Sequence, residues 1–227
     1  MSTSLNEVVM STPQPRVVPR TRLREALRWF AWSLPALPLV VQVHELGHLV
    51  WFKIFGFADV RLHYAAVSFG QHDRFWEHLQ QGDVAGAARI ASLFQVGVAT
   101  ATGILITYAT IAISAYLTTK RPPHPFIVAL GLTAALRFKI AFEVLQRLLF
   151  TKNQLRSGSD EGMVSAVSGV QVLFWIVGLT VVAVGWTYII RGLPRGQRWK
   201  HLGLVAAGVA VGAVIYIAWL GPMLLPY

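Results

Sequence analysis

Long apolar runs separated by short polar segments dominate the chain. A helix of about 20 apolar residues is long enough to cross the hydrocarbon core of a bilayer. Several of the runs reach or approach that length, and they occupy residues 38–57, 90–117, 125–150, 163–190 and 202–225. The pattern therefore predicts an all-α polytopic membrane protein with four to six transmembrane helices.

Residues 57–70 have a different period. Val60, Leu62 and Tyr64 alternate with Arg61 and His63, and a period of two is typical of a strand. We therefore expect a short β-like segment, a hairpin or an edge strand, after the first apolar run. Lipid cannot satisfy strand backbone groups, so this segment must lie at the membrane interface or inside protein. The polar residues 71–89 predict a surface loop with a short helix.

The N-terminal residues are polar and rich in arginine. Residues 1–28 are predicted to form a disordered basic tail, and residues 29–227 a single membrane-embedded domain. Residues 20–33 also have the composition of a short amphipathic helix on the membrane surface. Pro35 and Pro38 are expected to end that helix before the first apolar run.

Composition supports the membrane class. The chain of 227 residues is 55% hydrophobic and 13% charged, with a net charge of +10, and its mean hydropathy is +0.54. The basic residues fall at the ends of the apolar runs, where they contact lipid head groups, so we do not expect nucleic-acid binding. With no cysteine, the chain has no disulfide or thiolate site, and any metal must be held by His, Asp or Glu.

The positions of lysine and arginine also predict an orientation. An N-terminus in the cytosol places the arginines before the first apolar run and the basic loops near residues 120 and 195 on the same side. Cytosolic loops carry an excess of Lys and Arg. The charges therefore favour a cytosolic N-terminus and a C-terminus on the outer side.

The first apolar run contains the sequence His44-Glu45-Leu46-Gly47-His48. Histidines four residues apart on a helix lie on one face and can share a metal ion, while the intervening glutamate can reach a water bound to that metal. A charged group at the bilayer centre costs about 2.5–3.5 kcal/mol, so these residues need a partner or a role. Gly47 leaves room for a substrate backbone. The alternative is that the histidines are satisfied by other polar groups in a helix bundle.

Zinc requires a third protein ligand and an open position for water. Asp160, at the start of a later apolar run, is the first candidate, although Asp at that position is also common as a helix N-cap. Glu143 is the main rival, and it has the alternative of pairing with a neighbouring lysine or arginine. Other candidates are expected to face solvent: His63, His72, Asp73, Glu77 and His78.

Residues 44–70 resemble the site-2 protease family of intramembrane zinc metalloproteases. The resemblance rests on the HELGH sequence, on Gly56, on the strand pattern and on Gly70. A second family signature is an Asn, a proline-containing turn and an Asp-Gly pair. This chain has Asn153 and then Asp160-Glu161-Gly162, so the prolines are missing and Glu161 separates Asp from Gly.

The resemblance implies a multi-pass protein of the membrane, the cell membrane in a prokaryote, that hydrolyses peptide bonds of membrane proteins or membrane-anchored peptides. It implies that His44, His48 and Asp160 hold Zn²⁺ and that Glu45 is the general base. It further suggests substrate contacts at Asn153 and Gly70. The family's HExxH helix usually runs toward the cytosol, which is opposite to the direction that the charges favour here.

Two other classes of function remain open from the sequence. The chain could be a non-catalytic membrane protein that keeps the metalloprotease fold as a binding or regulatory module, although a binding site has no need of Glu45. It could also be a transporter in which Arg137 and Glu143 line a pathway.

Overall fold

The computed structural model describes residues 19–136, 160, 164 and 171–225. Within these residues the protein is mostly helical, with a small antiparallel sheet after the helix that carries the two histidines. The second half of the predicted span 125–150 lies outside the described residues, as do Asn153, Glu161 and the rival ligand Glu143.

The helices and strands are numbered in chain order. They are α1 (Pro19–Ser33), α2 (Ala36–Ile54), β1 (Arg61–Leu62), β2 (Val67–Ser68), α3 (His72–Gln80), α4 (Val84–Ile90), α5 (Leu93–Lys120), α6 (Pro125–Ala134), α7 (Gln171–Gly192), a 3₁₀ turn (Arg195–Gln197), α8 (Arg198–Ile215), a π-helical turn (Tyr216–Leu220) and α9 (Gly221–Leu224).

Helix α1 begins at Pro19, one residue before the amphipathic helix that the composition of residues 20–33 predicts. Residues 19–28, which the composition places in the disordered tail, are helical, because one face of α1 has a partner. Trp29 and Ser33 are buried on that face, while Arg22, Arg24 and Arg28 are exposed. The expected amphipathic helix is therefore present, while residues 1–18 of the predicted tail lie outside the described residues.

A turn at residues 34–35 separates α1 from α2. Pro35 precedes α2, as expected, but Pro38 lies in the first turn of α2 and does not interrupt it. The first N–H groups of a helix have no intrahelical partner, so proline is tolerated there. At the other end, Gly56 adopts a φ of 73°, a left-handed conformation that ends the helix and favours glycine.

Helix α2 is polar on its inner face and apolar on its outer face. His44, Gly47, His48 and Phe52 are buried. Apart from Lys53 in the last turn, the exposed positions are apolar, namely Leu39, Val43, Leu46, Val50 and Ile54. A helix that exposes leucine and valine while burying histidine matches a lipid environment outside and a polar centre inside.

The predicted β-like segment is confirmed as a hairpin with only two residue pairs, Arg61 with Ser68 and Leu62 with Val67. So short a ladder is marginal by itself, and aromatic packing supports it. Phe52 from α2 meets Phe57 and Phe69, with ring centroids 5.1 Å from each, and Phe75 of α3 packs on Phe69. Residues 71–89 form the two short helices α3 and α4 where one was expected.

Close helix contacts in the bundle occur at glycines. A Cβ at Gly208 of α8 would lie 2.5 Å from the Phe30 carbonyl oxygen of α1, and one at Gly212 would overlap the Leu34 carbonyl. These two glycines, four residues apart, let α8 approach α1 and the turn that follows it. On α5, Ile111 and Thr118 face Gly185 and Gly192 of α7 in the same way.

Three helical stretches in the described residues are long and apolar enough to cross a membrane: Arg22–Ile54, Leu93–Lys120 and Arg195–Leu224. Pro125–Ala134 and Ile176–Gly192 are shorter apolar helices. Helix α5, with 28 residues, is about 42 Å long at 1.5 Å per residue, which exceeds the roughly 30 Å hydrocarbon core.

Candidate metal centre

The two histidines of the HELGH sequence converge on one point inside the bundle. His44 and His48 lie one turn apart on α2, and their Nε2 atoms are 3.0 Å from each other. Their rings stand at 90° with centroids 4.6 Å apart. Both residues are buried, with 9% and 6% of their surface exposed. The predicted geometry of two histidines on one helical face is therefore present.

Asp160 supplies a carboxylate to the same point. Its Oδ2 lies 2.8 Å from His44 Nε2, and its Oδ1 lies 3.9 Å from His48 Nε2. The three residues thus each offer one ligand atom, and those atoms lie within 4.8 Å of one another. Asp160 is 116 residues away from His44 in the chain, and its own backbone is helical. Within the part of the chain that the structure describes, this is the group of His, Asp and Glu residues that could hold a metal ion.

Helix α5 orients both imidazole rings through their second nitrogens. His48 Nδ1 is 2.9 Å from the Ala99 carbonyl oxygen, which can only accept. His44 Nδ1 is 2.8 Å from Thr107 Oγ1, and that hydroxyl donates its own hydrogen to the Gly103 carbonyl at 3.0 Å. Each Nδ1 therefore carries the proton, which leaves the Nε2 lone pairs directed at the shared point. Such partners fix the tautomer and orientation of metal-binding histidines.

Gly103 provides the space for both rings. A Cβ at this position would overlap the His48 ring and would lie 3.0 Å from His44 Cε1. The opposing helix has a glycine as well, since a Cβ at Gly47 would come within 3.3 Å of the Gly103 backbone. The two glycines let α2 and α5 approach closely, and the imidazoles occupy the space beside that contact.

The donor set fits zinc. Two imidazole nitrogens and one carboxylate oxygen are the ligands of a hydrolytic zinc site that keeps one position open. The Nδ1 hydrogen bonds to a carbonyl and a hydroxyl are the outer partners that such ligands require. Asp160 keeps 26% of its side chain exposed, so the site is reached from one side.

Glu45 follows His44 on α2 and is half-buried. It lies within electrostatic range of the Tyr216 hydroxyl on the π-helical turn. Helical geometry turns its side chain about 100° from that of His44. The role of general base for Glu45 stays a prediction from the sequence.

The remaining predicted residues have varied positions. Gly70 lies at the base of the hairpin, where its N–H donates to the Ala58 carbonyl at 2.8 Å. His63 was expected to face solvent, and this was wrong: it is 9% exposed and its Nε2 is 2.9 Å from Ser68 Oγ. Asn153 and Glu143 lie outside the described residues.

The polar loop contains no further ligand group among its described residues. His72 is half-buried rather than solvent-facing, with its ring edge against Phe69, and burial lowers the pKa of its imidazole below the usual value. Asp83 accepts from the Gly86 N–H and lies 2.8 Å from His78 Nδ1. These contacts, the backbone hydrogen bond first, lower the pKa of the Asp83 carboxyl. Asp83 is the N-cap of α4.

Sequence reasoning missed the contribution of α5, namely Ala99, Gly103 and Thr107. A signal for its inner face was available. Thr100, Thr107 and Ser114 recur every seven residues in an otherwise apolar run, and all three are buried. A seven-residue repeat returns to the same helical face after two turns. That stripe marks the inner face of α5, on which Thr107 meets His44 of α2 and Ser114 meets Gly131 of α6.

Comparison of the chain with protein-family models, with curated proteins and with solved structures finds no match in any of the three.

Proposed function

We propose that the protein is a zinc-dependent endopeptidase that hydrolyses peptide bonds of membrane-embedded substrates. The observation that supports this most strongly is the convergence of His44 Nε2, His48 Nε2 and an Asp160 carboxylate oxygen beside Glu45. A site that only stores a metal needs the three ligands but not the carboxylate next to them. This proposal includes a multi-pass arrangement of four to six spans.

The reaction divides simply among the residues. His44, His48 and Asp160 would hold the ion, while Thr107 and the Ala99 carbonyl orient the imidazoles. A zinc ion held there would supply Lewis-acid chemistry for the peptide carbonyl and the attacking water. Glu45 takes the proton from the attacking water as the C–O bond forms. It then passes that proton to the amide nitrogen as the C–N bond breaks, so the step needs no other reactant.

The surroundings favour a substrate within the membrane. The outer face of α2 exposes apolar residues, so a lipid-embedded segment can approach the helix that carries the ligands. A transmembrane helix satisfies its own backbone and must unwind before a peptide bond reaches the ion. The hairpin that follows α2 offers a strand edge with which an unwound segment can pair. Substrates with glycine or polar residues in the span are therefore expected.

Replacing Glu45 by Gln tests the proposal directly. The reporter is a single-span peptide with a glycine pair in its apolar segment and a quenched fluorophore, reconstituted with the protein in liposomes. Glu45→Gln keeps the shape but cannot take the proton, so we expect cleavage to fall by about 10²- to 10⁴-fold with zinc content unchanged. Glu77→Gln, at an exposed glutamate on α3, is the matched control and should cleave normally.

Zinc content distinguishes the other functions. His44→Ala should lose the bound zinc, measured by elemental analysis of purified protein after dialysis. Protein that binds zinc but never cleaves the reporter, with or without Glu45, would support a binding or regulatory module. A transporter would be supported if the protein keeps no zinc and carries a solute into liposomes equally well with and without His44→Ala.

A further inference from the structure

Three segments that are distant in the chain meet at one carbonyl group, that of Tyr64 in the turn of the hairpin. The Tyr216 hydroxyl, at the start of the π-helical turn, donates to the Tyr64 carbonyl oxygen at 2.6 Å. The Gln42 side-chain amide, on α2, donates to the same oxygen at 2.9 Å and also to the Tyr216 hydroxyl oxygen. We call this group the Gln42–Tyr64–Tyr216 clasp.

The C-terminal segment contacts the Tyr64 side chain as well as its carbonyl group. The Tyr64 and Tyr216 rings meet edge to face, with centroids 6.2 Å apart. A Cβ at Gly221 would lie 2.8 Å from Tyr64 Cβ and 2.9 Å from Tyr64 Cδ2. Glycine at this position therefore allows the segment after the π-helical turn to approach Tyr64 so closely. Tyr216 itself is 6% exposed. The contact is therefore packed, and its hydrogen bonds are shielded from solvent.

The hairpin needs such support from outside. Its ladder has two residue pairs, and its turn is closed by the His63 N–H donating to the Ala66 carbonyl at 2.8 Å. A two-stranded hairpin is marginally stable in water. The aromatic cluster holds the base of the hairpin, at Phe57 and Phe69, whereas the clasp is at its tip. Without the clasp, the tip would be restrained mainly by its own short ladder.

The clasp also lies next to the proposed general base. Gln42 precedes Glu45 by three residues, so the two side chains emerge on adjacent parts of one helical face. The Tyr216 hydroxyl lies within electrostatic range of Glu45. The π-helical turn shifts the register of the C-terminal helix where Tyr216 enters this cluster, and such turns are frequent at functional sites. Thus the clasp joins the helix of the metal centre to the strand edge and to the end of the chain.

We propose that Gln42 and Tyr216 are positioning residues that hold the hairpin beside Glu45 as the docking edge for an extended substrate segment. This inference rests on the proposed peptidase function. An unwound segment gains its backbone hydrogen bonds from a strand edge, and that gain depends on an edge fixed in place before binding. Neither residue is a metal ligand or a base in this proposal, since each acts through the hairpin.

The kinetic test uses Tyr216→Phe, which removes the hydroxyl and keeps the ring, and Gln42→Leu, which keeps the approximate size. With the same single-span reporter peptide, we expect KM to rise about tenfold, the equivalent of one lost buried hydrogen bond, with kcat within about threefold of wild type. Zinc content should be unchanged. Tyr188→Phe is the matched control, since Tyr188 on α7 is 52% exposed. A fall in kcat with KM unchanged would overturn the docking role.

A second measurement does not depend on activity. Hydrogen exchange of the intact protein should show faster exchange of the amides of residues 61–68 in Tyr216→Phe and in Gln42→Leu, relative to Tyr188→Phe. Equal exchange in all three would overturn the clasp, even if one variant were poorly active. If the wild-type protein cleaves no reporter, the peptidase proposal fails, while the exchange result still decides whether the clasp holds the hairpin. Faster exchange with unchanged KM would leave only a structural contact and would also overturn the docking role.

Discussion

At the scale of single residues, the metal centre depends on side chains that are not ligands. Thr107 shows this most clearly, because its hydroxyl accepts from His44 Nδ1 and donates to Gly103. This relay determines which nitrogen of His44 has a lone pair for the ion. A residue in the middle of an apolar helix thereby controls the protonation of a ligand on another helix.

We predict that Thr107→Val weakens zinc binding while leaving the fold intact. Valine has nearly the same shape but cannot accept from His44 Nδ1, so affinity should fall about 10- to 100-fold, as for other outer partners of metal ligands. Competition with a zinc chelator measures the change. Thr110→Val is a close control, because Thr110 makes the same bond to the carbonyl four residues back but does not touch a histidine. Equal affinity in the two variants would contradict the role given to Thr107.

At the scale of elements, a seam of two glycines sets the distance between α2 and α5. Gly47 and Gly103 face each other across it, and the imidazoles of His44 and His48 fill the space beside Gly103. Small residues at such seams let helix backbones approach in membranes. This close approach also brings His44 and His48 within hydrogen-bonding distance of Thr107 and the Ala99 carbonyl. The same glycine contact therefore sets both the helix packing and the positions of the two imidazoles.

We predict that Gly103→Ala disrupts the seam and the site together. The added methyl group would overlap the His48 ring and lie 3.0 Å from His44 Cε1, so both imidazoles must move away from α5. We expect a lower melting temperature and loss of zinc. Gly203→Ala is the control, because Gly203 is an exposed glycine in α8 with no atom near its Cβ position. Alanine there should raise the free energy of unfolding by about 0.5–1 kcal/mol. Normal zinc content in Gly103→Ala would show that the seam does not position the histidines.

At the scale of the whole molecule, charge is distributed unevenly between the two ends of the bundle. One end gathers the N-terminus of α1, the C-termini of α5 and α7 and the N-terminus of α8. Its described side chains include nine basic residues and one acidic residue: Arg22, Arg24, Arg28, Lys120, Arg121, Arg191, Arg195, Arg198, Lys200 and Glu25. The hairpin end is balanced, with Lys53, Arg61, Arg74 and Arg89 against Asp59, Asp73, Glu77 and Asp83.

We predict that the basic end faces the cytosol, since Lys and Arg are retained there. The metal centre, at Ala99 to Thr107 of α5, lies between the start and the middle of that helix and hence nearer the balanced end. Because the chain has no cysteine, single cysteines report the orientation cleanly. Gly196→Cys, at the exposed basic turn, should react with an impermeant maleimide only from the cytosolic side, and Gln80→Cys on α3 only from the outer side. The reverse labelling would favour the direction that the family resemblance implies.

Much of the helical architecture follows from local pattern. The apolar runs 38–57 and 90–117 predicted α2 and α5 to within three residues at each end, and the alternation at residues 57–70 predicted the hairpin. These features depend on short-range chemistry, such as periodicity, proline and left-handed backbone. The packing partner of α1 could not be predicted, because Gly208 and Gly212 of α8 meet Phe30 of α1 and Leu34 after it only once the chain has folded.

The helix that carries the two histidines could be predicted from the sequence. His44, Glu45 and His48 have their relative positions from 3.6 residues per turn, and their cost in an apolar run is enough to indicate a role. The position of Asp160 beside the histidines is visible only in the folded chain, because folding and not spacing brings them together. The same holds for Thr107, Gly103 and the Gln42–Tyr64–Tyr216 clasp. Helical periodicity determines which residues are neighbours within one turn. Contacts between helices depend on side-chain packing, and the sequence indicates that packing only through a few small residues such as glycine.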